Sequence, residues 1–429
     1  MVRQYPDRLR SNIVSRFSIR RFPQKCLWSA LLFGTAYQSY RYPLQYNFSG
    51  TSPTYTDTPV SFQLTKFLVI ALLCLLSISY VPRRALPHRN WIFICLISAM
   101  TAYPLIKAIG ADNSDLPLYL ETAFWPLAAL LLVLATPAIT FAALDRYFRF
   151  VFVYALVSNV IEIALFLTIG RLPALAYANT FSVRFGGFLD DPNGFAALLF
   201  MLMGWAYFHF SGAKRFVAQS SLIICIILTQ SLTAIGCLVL FGLWFLLFRR
   251  PKPLLILSLA AILASLVYAL WSPLGEIFTI FSEAKSGSIS GHIAPVSSAA
   301  SGGVLGWILG GTSYARYESW WIGSVLNYGV PWTLLCLAIV VSLMRSNLVA
   351  LRRARSRDEK AVLAAVLSLS CYFLVGDLNL PFFLVFPVNF IFFLLAFSVA
   401  FRKIKEDEIP MKEPFRMIGG SVDGVSNLS

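Results

Sequence analysis

The stretch Arg184-Phe-Gly-Gly-Phe-Leu-Asp-Asp-Pro-Asn-Gly194 lies between two long apolar runs, residues 150–170 and 194–211. It brings an arginine and two aspartates to the edge of a membrane, where charged side chains are costly and are commonly retained for a function. The glycine pair permits a turn or a close approach of the backbone. Asp191 is suited to cap a helix, and Pro192 to occupy its first position. The pattern therefore predicts a polar loop that leads directly into a transmembrane helix.

The composition indicates a membrane protein. Of the 429 residues, 58% are hydrophobic and 13% are charged, and the mean hydropathy is +0.71. Soluble domains carry about 25% charged residues, so a soluble fold is excluded. The formal charge of +15 does not indicate nucleic-acid binding, because the charges cluster in short runs between apolar segments.

The apolar runs predict an all-α polytopic protein with about twelve transmembrane helices. A basic cytoplasmic tail (1–25) precedes the transmembrane domain (26–401), and a charged, then Gly/Ser-rich tail (402–429) follows it and is expected to be disordered. The largest loop, 272–323, lies between the ninth and tenth spans. The predicted spans are 26–40, 61–81, 91–110, 117–143, 150–170, 194–211, 217–231, 233–248, 254–271, 324–344, 361–376 and 382–401.

The distribution of basic residues predicts the orientation. Of the 35 lysines and arginines, 28 fall on one side of this topology, which the positive-inside rule makes cytoplasmic together with both termini. Five fall on the other side, and Lys66 and Lys107 lie at span ends, from which they can snorkel to the interface. Loops 171–193 and 272–323 are then periplasmic.

Three of the outside cations are candidate anion-binding residues, because topology does not explain them. Arg184 and Arg316 lie in the two largest outside loops of the second half, and Arg171 opens the first of these loops. Guanidinium groups bind phosphate bidentately. The alternative is a structural role, in which these arginines pair with Asp190, Asp191 or Glu318 or with lipid headgroups.

A second polar stretch, Gly310-Gly-Thr-Ser-Tyr-Ala-Arg-Tyr-Glu-Ser-Trp-Trp-Ile-Gly-Ser-Val-Leu-Asn-Tyr-Gly329, ends the large loop. Glu318 is a candidate base or a group that orients a sugar hydroxyl, and Trp320 is a candidate sugar-stacking residue. The alternative is an aromatic belt at the membrane interface with a structural ion pair. Asp190 and Asp191 suggest a metal site less strongly than a helix cap. The histidines and cysteines form no ligand motif, so no metal or cofactor is expected.

Three motifs resemble those of the O-antigen ligase/polymerase superfamily. They are Arg184-Phe-Gly-Gly…Asp191-Pro-Asn193 before an apolar helix, Gln230-Ser-Leu-Thr-Ala234 at the opening of a span, and Gly310-Gly-Thr…Glu318-Ser319…Asn327-Tyr-Gly329. The resemblance covers residues 180–345, and the motif order and topology agree with it. Ligases of the superfamily typically carry His-Asn where this chain has Glu318-Ser319, which favours a polymerase. Gly194 is one residue early for the arginine-to-glycine spacing of polymerases.

The resemblance implies a metal-independent glycosyltransferase of the bacterial inner membrane that makes O-antigen, capsule or exopolysaccharide. The donor would be an oligosaccharide on undecaprenyl pyrophosphate, and the acceptor a hydroxyl of the next lipid-linked repeat. Membrane lipids surround such an enzyme, and a flippase and a chain-length regulator are its expected protein partners. A ligase that uses a lipid A-core acceptor and a secondary transporter or flippase are the alternatives.

The resemblance also implies roles for particular residues. Arg184, Arg316 and Glu318 would be catalytic. The substrate would be bound by Arg171, Arg184, Asp190, Asn193, Arg316 and Trp320.

Overall fold

A computed structural model describes residues 22–37, 60–78, 88–112, 115–136, 139–169, 185–189, 191–231, 233–240, 303–311, 314, 319–376 and 386–407. These residues form α-helices and short connections, and no strand occurs among them. The helices are α1 (22–36), α2 (Val60–Ile78), α3 (His88–Ile109), α4 (Leu116–Ala135), α5 (Phe141–Ile169), α6 (Pro192–His209), α7 (Gly212–Thr229), α8 (233–240), α9 (Gly303–Leu309), α10 (Trp320–Tyr328), α11 (Val330–Arg353), α12 (Arg357–Gly376) and α13 (Val388–Asp407).

Six of the described helices are long and apolar enough to cross a membrane, so the all-α membrane fold predicted from composition is supported. They are α3, α4, α5, α7, α11 and α12, and shorter apolar helices lie at Leu64–Ile78 and Val388–Phe401. The predicted span 254–271 lies outside the described residues, as do parts of several others. The number twelve therefore stays a prediction.

The core is built around α6 and α12, which form the most extensive helix–helix contact. Gly204 of α6 lies directly against α12, where an added Cβ would come within 2.3 Å of Ser368 Oγ and 2.6 Å of the Ala364 carbonyl oxygen. Small residues at a contact let two helix backbones approach closely, which is how helices pack in lipid. These small residues therefore set the spacing of the central pair.

Exposed leucines mark surfaces suited to lipid. On α2, Leu64, Leu68, Leu72 and Leu75 are all exposed and recur every three or four residues, which places them on one face. A long exposed apolar stripe of this kind is unusual on a soluble monomer. It is the surface expected of a peripheral transmembrane helix.

Two predicted span boundaries were wrong. The break between the fourth and fifth spans falls at Thr136, before Pro137, and not at 144–149. Proline disfavours the helical conformation of the preceding residue, and Thr136 is extended with ψ 129°. Since α5 begins at Phe141, Asp145 and Arg149 lie in its first turns and not in a loop.

The tenth predicted span, 324–344, was also displaced. Gly329 adopts φ 87° and ψ 166° and separates α10 from α11. The basic run 345–360 was predicted as a loop, but α11 continues to Arg353 and α12 starts at Arg357. Arginine and lysine are good helix formers, and α11 continues about two and a half turns past residue 344, to Arg353.

Contacts between helix ends define two ends of the bundle. Asp145 at the start of α5 lies beside His209 at the end of α6 and Asp358 at the start of α12. We call this the inner end, since the charge pattern predicts it to be cytoplasmic. Asp115, just before α4, contacts Tyr314 at the other end, which we call the outer end.

Candidate functional site at the outer end

The stretch that begins at Arg184 leads into α6 as its sequence predicts. The Asp191 carboxylate accepts hydrogen bonds from the backbone N–H groups of Asn193 (3.1 Å) and Gly194 (3.0 Å), and Pro192 is the first helical residue. Such a cap satisfies N–H groups that have no partner within the helix. Asp191 is therefore a capping residue, and helix capping explains it without a metal.

Gly187 makes the turn before this helix, and a buried glutamate holds it. Its φ of +55° is unfavourable for other residues, and an added Cβ would come within 2.3 Å of the Phe195 ring. Its N–H donates to a carboxylate oxygen of Glu162 over 2.9 Å. Glu162 lies within α5 and is 2% exposed. Sequence analysis missed this residue, although a single acid in the run 150–170 was a signal for it.

The Gln230-Ser-Leu-Thr-Ala234 motif lies next to the same turn. The Phe185 N–H donates to the Leu228 carbonyl over 3.1 Å. Gln230 is left-handed, with φ 49°, and ends α7, while the Ser231 hydroxyl accepts from the Ala234 N–H over 3.4 Å. The motif therefore makes the break between α7 and α8, in agreement with its predicted place at the opening of a span.

The third motif is held together by two close backbone approaches. An added Cβ on Gly310 would lie 2.4 Å from the Asn327 carbonyl, and one on Gly329 would lie 2.1 Å from the Ile308 carbonyl oxygen. The Gly311 N–H also donates to the Leu326 carbonyl over 2.6 Å. These contacts pack α9 against the end of α10, so both ends of the motif meet.

Residues of α3 and α4 hold the same motif at the outer end. The Asp115 carboxylate accepts from the Tyr314 N–H over 2.8 Å. Tyr103 donates to the Leu309 carbonyl over 2.7 Å, and the Lys107 ammonium donates to the Gly311 carbonyl over 2.7 Å. Lys107 was predicted to snorkel, and in the structure its ammonium also fixes the third motif.

A cluster of tyrosines packs beneath the motif. The Tyr314 ring lies 5.1 Å from that of Tyr119 and 6.2 Å from that of Tyr328. The Tyr328 hydroxyl lies 3.0 Å from Thr122 Oγ1. Burial raises the pKa of Tyr314, which keeps its phenol neutral. All three rings are buried, so the cluster packs the third motif against α4.

A buried ion pair lies next to this cluster. The Lys66 ammonium of α2 lies 2.5 Å from a carboxylate oxygen of Glu121 of α4, and Lys66 is only 6% exposed. The ammonium also lies 5.2 Å from the Phe67 ring centre and 5.7 Å from those of Trp125 and Phe386. Lys66 was predicted to snorkel, but its ammonium is held inside the protein.

Segment 386–388 links the ion pair to the first motif. The Phe386 ring lies beside the Lys66 ammonium, and Val388 lies against Gly194 at the start of α6. An added Cβ on Gly194 would come within 3.1 Å of Val388 Cγ2. The start of α6 and the ion pair are thus separated by one short segment.

The ion pair is linked to the third motif from the other side. Tyr119, which contacts the Tyr314 ring, precedes Glu121 by two residues on α4. The Trp321 indole N–H donates to the Leu374 carbonyl over 3.2 Å, which fixes α10 to the outer end of α12. Since α12 packs along α6, the first and third motifs lie at the same end of the bundle.

Most of the sequence-predicted site residues lie outside the described residues. These are Arg171, Arg184, Asp190, Arg316 and Glu318.

Two predicted substrate-binding residues are described. Asn193 is partly buried in the first turn of α6. Trp320 is 3% exposed, and its ring packs against Trp321 (4.7 Å) and Trp332 (5.8 Å). In this structure its ring is a packing element and is not open for stacking on a sugar.

A second charged cluster occupies the inner end. Asp145 is 1% exposed, and its carboxylate lies 2.8 Å from the Trp205 indole nitrogen, 2.9 Å from His209 Nδ1 and 2.8 Å from Arg149. Ligand atoms of Asp145, His209 and Asp358 lie within 4.8 Å of one another. The Arg149 guanidinium already neutralises Asp145 and would repel a metal ion. We interpret the cluster as a structural link between α5, α6 and α12.

Comparison with known proteins identifies no family for this chain, so a function can be argued only from the residues described above. No protein-family model matches the chain, and a search of curated proteins finds no match.

Proposed function

We propose that this chain is a membrane glycosyltransferase that polymerises a bacterial surface polysaccharide. It takes a glycan from undecaprenyl pyrophosphate and transfers it to a lipid-linked acceptor repeat. The reaction occurs at the outer end of the helices, on the periplasmic face of the inner membrane.

The observation that supports the proposal is the convergence of the two arginine-containing stretches on one end of the bundle. Phe185 adjoins Arg184, and Tyr314 lies two residues before Arg316. Phe185 is bonded to α7, which packs against α6, and Tyr314 packs against Tyr328 of α10, which is bonded to α12. Since α6 and α12 pack against each other, both described neighbours lie at the same end of this central pair.

The proposed chemistry needs cations more than it needs an acid. An acceptor hydroxyl oxygen attacks the anomeric carbon of the donor, and the bond from that carbon to the pyrophosphate oxygen breaks. Negative charge develops on the departing undecaprenyl pyrophosphate, and positioned donors stabilise it. Arg184 and Arg316 perform this role, and Arg171 is a further candidate. Glu318 accepts the hydroxyl proton.

The buried groups prepare this site. The Asp115–Tyr314 bond holds the third motif, the Glu162–Gly187 bond holds the first, and the Lys66–Glu121 pair fixes α2 to α4 beside them. A charge-stabilising site depends on donors that are fixed before the reaction. These residues are therefore positioning residues, and the arginines and Glu318 act on the substrate.

A secondary transporter or flippase is the second candidate, because ionisable groups are buried inside apolar helices. Lys66, Glu121 and Glu162 are of the kind that marks substrate or ion pathways in membrane proteins. Their hydrogen bonds within the protein favour a structural role, so we place this function second.

Deletion of the gene, followed by analysis of surface glycan length, tests the proposal. Loss of a polymerase leaves single repeats on the acceptor, and loss of a ligase leaves free polymer on its lipid carrier. Unchanged glycan with altered solute uptake indicates a transporter. A plasmid-borne wild-type copy is the control and must restore the original length.

A further inference from the structure

A groove opens at the inner end, far from the proposed site. It has a volume of about 530 Å³ and lies between the start of α3, the second half of α11 and the end of α13. Its apolar wall includes Phe93, Leu96 and Val399. Its polar side consists of serines and two arginines, Arg345 and Arg353.

The two arginines are exposed and suited to bind one anion. They are eight residues apart on α11, which at 1.5 Å per residue separates their Cα atoms by about 12 Å along the helix axis. The described ion pairs involve Lys66, Arg149 and His209, and neither Arg345 nor Arg353 belongs to them. Guanidinium groups bind phosphate oxygens bidentately.

Exposed apolar residues border the groove at the inner end of the bundle. Ile92 and Leu96 beside it are exposed apolar residues, as on a lipid-facing surface. The linker 354–356 joins α11 to α12, whose first turn carries Asp358 of the inner-end cluster. The charge pattern predicts that this end is cytoplasmic, where anionic lipids attract basic residues.

We propose that this groove binds an anionic glycerophospholipid of the inner leaflet. The phosphate is bound by Arg345 and Arg353, with Ser346 beside it, and an acyl chain lies along Phe93, Leu96 and Val399. The combination of two unpaired cations with an apolar wall fits a lipid better than a soluble anion, because a soluble anion has no acyl chain to pack against the wall. The inference is independent of the proposed function, since the groove is at the opposite end from Lys66.

The test compares lipid binding by the purified full-length protein in detergent, using native mass spectrometry and thermal unfolding. Phosphatidylglycerol is the probe, with phosphatidylcholine and glycerol phosphate as comparisons. The variant Arg345→Ala/Arg353→Ala removes both cations of the groove. The matched control, Arg352→Ala/Arg355→Ala, removes two exposed arginines from the same region that do not line the groove.

We expect phosphatidylglycerol to bind and to raise the unfolding temperature, and phosphatidylcholine to do neither. The groove variant should bind phosphatidylglycerol at least about tenfold more weakly, because hydrogen bonds between charged groups are lost. The control variant should stay within about twofold of wild type. Ser346→Trp, which fills the groove but keeps both arginines, should also weaken binding.

Three results would overturn the inference. Equal binding by the groove variant and the control would show only general attraction to basic residues. Equal binding of phosphatidylcholine would show that charge is irrelevant. Full competition by glycerol phosphate would show a soluble-anion site with no role for the apolar wall.

Discussion

The Lys66 ammonium and the Glu121 carboxylate form an ion pair between α2 and α4, within a shell of aromatic rings. Lys66 is buried and the Glu121 side chain is only 19% exposed, so either charge alone would be costly. Through Tyr119 and Phe386 the pair adjoins both stretches that carry the proposed catalytic arginines. The pair therefore lies between the described parts of the two stretches.

Breaking this pair from either side should destabilise the protein. Lys66→Met and Glu121→Leu each leave one uncompensated buried charge, which costs about 3–5 kcal/mol. The double variant Lys66→Met/Glu121→Leu should recover most of this loss, because well-packed apolar residues often replace a buried pair without cost. Thermal unfolding in detergent measures all three. Single variants as stable as wild type would show that the pair is not buried as described.

Gly187→Ala should disrupt the first motif. The left-handed backbone costs roughly 1–2 kcal/mol for a residue with a Cβ, and overpacking against Phe195 adds about 1–3 kcal/mol. Gly236→Ala is the matched control, since its added Cβ meets nothing within 4 Å of the described atoms. Membrane abundance and unfolding temperature should fall for Gly187→Ala alone. Phe195→Leu should restore part of the loss, and equal effects at both glycines would contradict the account.

Two substitutions separate the hydrogen bond of Glu162 from its charge. Glu162→Gln keeps an oxygen that accepts from the Gly187 N–H, whereas Glu162→Leu leaves that buried N–H unsatisfied at a cost of about 1–3 kcal/mol. We expect Glu162→Gln to have normal membrane abundance and near-normal polymer length, and Glu162→Leu to have reduced membrane abundance. Loss of polymer in a well-expressed Gln variant would instead assign a function to the charge itself.

Sequence reasoning predicted the helical class and local features whose causes lie in adjacent residues. The Asp191 cap, Pro192 at the start of α6 and the break at Gln230 follow from short-range backbone chemistry. The boundaries at Thr136 and Gly329 were missed because apolar runs continue across them. The hydropathy of the sequence does not change at these positions, although the backbone conformation leaves the helical region.

The buried polar contacts could not be predicted, because they join residues distant in the chain. Lys66 and Glu121 are 55 residues apart, and Asp115 and Tyr314 are 199 apart. A lysine near a helix end has the same sequence pattern whether it snorkels or forms a buried pair. Helix packing decides between these outcomes, and a single sequence contains no record of it.

Cysteine labelling tests which end of the bundle is cytoplasmic. In a cysteine-free background, single cysteines at Ser182, Ser288 and Ser356 should react differently with an impermeant reagent in cells with a permeabilised outer membrane. We expect Ser182→Cys and Ser288→Cys to react and Ser356→Cys, at an exposed position between α11 and α12, to be protected. Labelling at position 356 in intact inner membranes would contradict the orientation.

The arginine variants test the proposed chemistry in cells. Arg184→Ala and Arg316→Ala should each abolish polymer formation at normal abundance, since losing one such donor costs about 3–4 kcal/mol, or a few hundredfold in rate. Arg184→Lys and Arg316→Lys should each retain only part of the polymer formation, because the ammonium keeps the charge but not the bidentate geometry. Arg41→Ala is the control, because the charge pattern also predicts Arg41 to lie outside and it is far from the motifs in sequence. A purely structural role predicts lowered abundance with unchanged activity per molecule.

The most direct test of the central claim is a reaction with purified protein. Lipid-linked repeats extracted from the deletion strain are incubated with the full-length chain in proteoliposomes, and glycan length and released undecaprenyl pyrophosphate are measured together. The account predicts glycans of two or more repeats, with one undecaprenyl pyrophosphate released per linkage formed, and neither product with Arg184→Ala/Arg316→Ala. Folded wild-type protein that releases no undecaprenyl pyrophosphate and lengthens no glycan would contradict it.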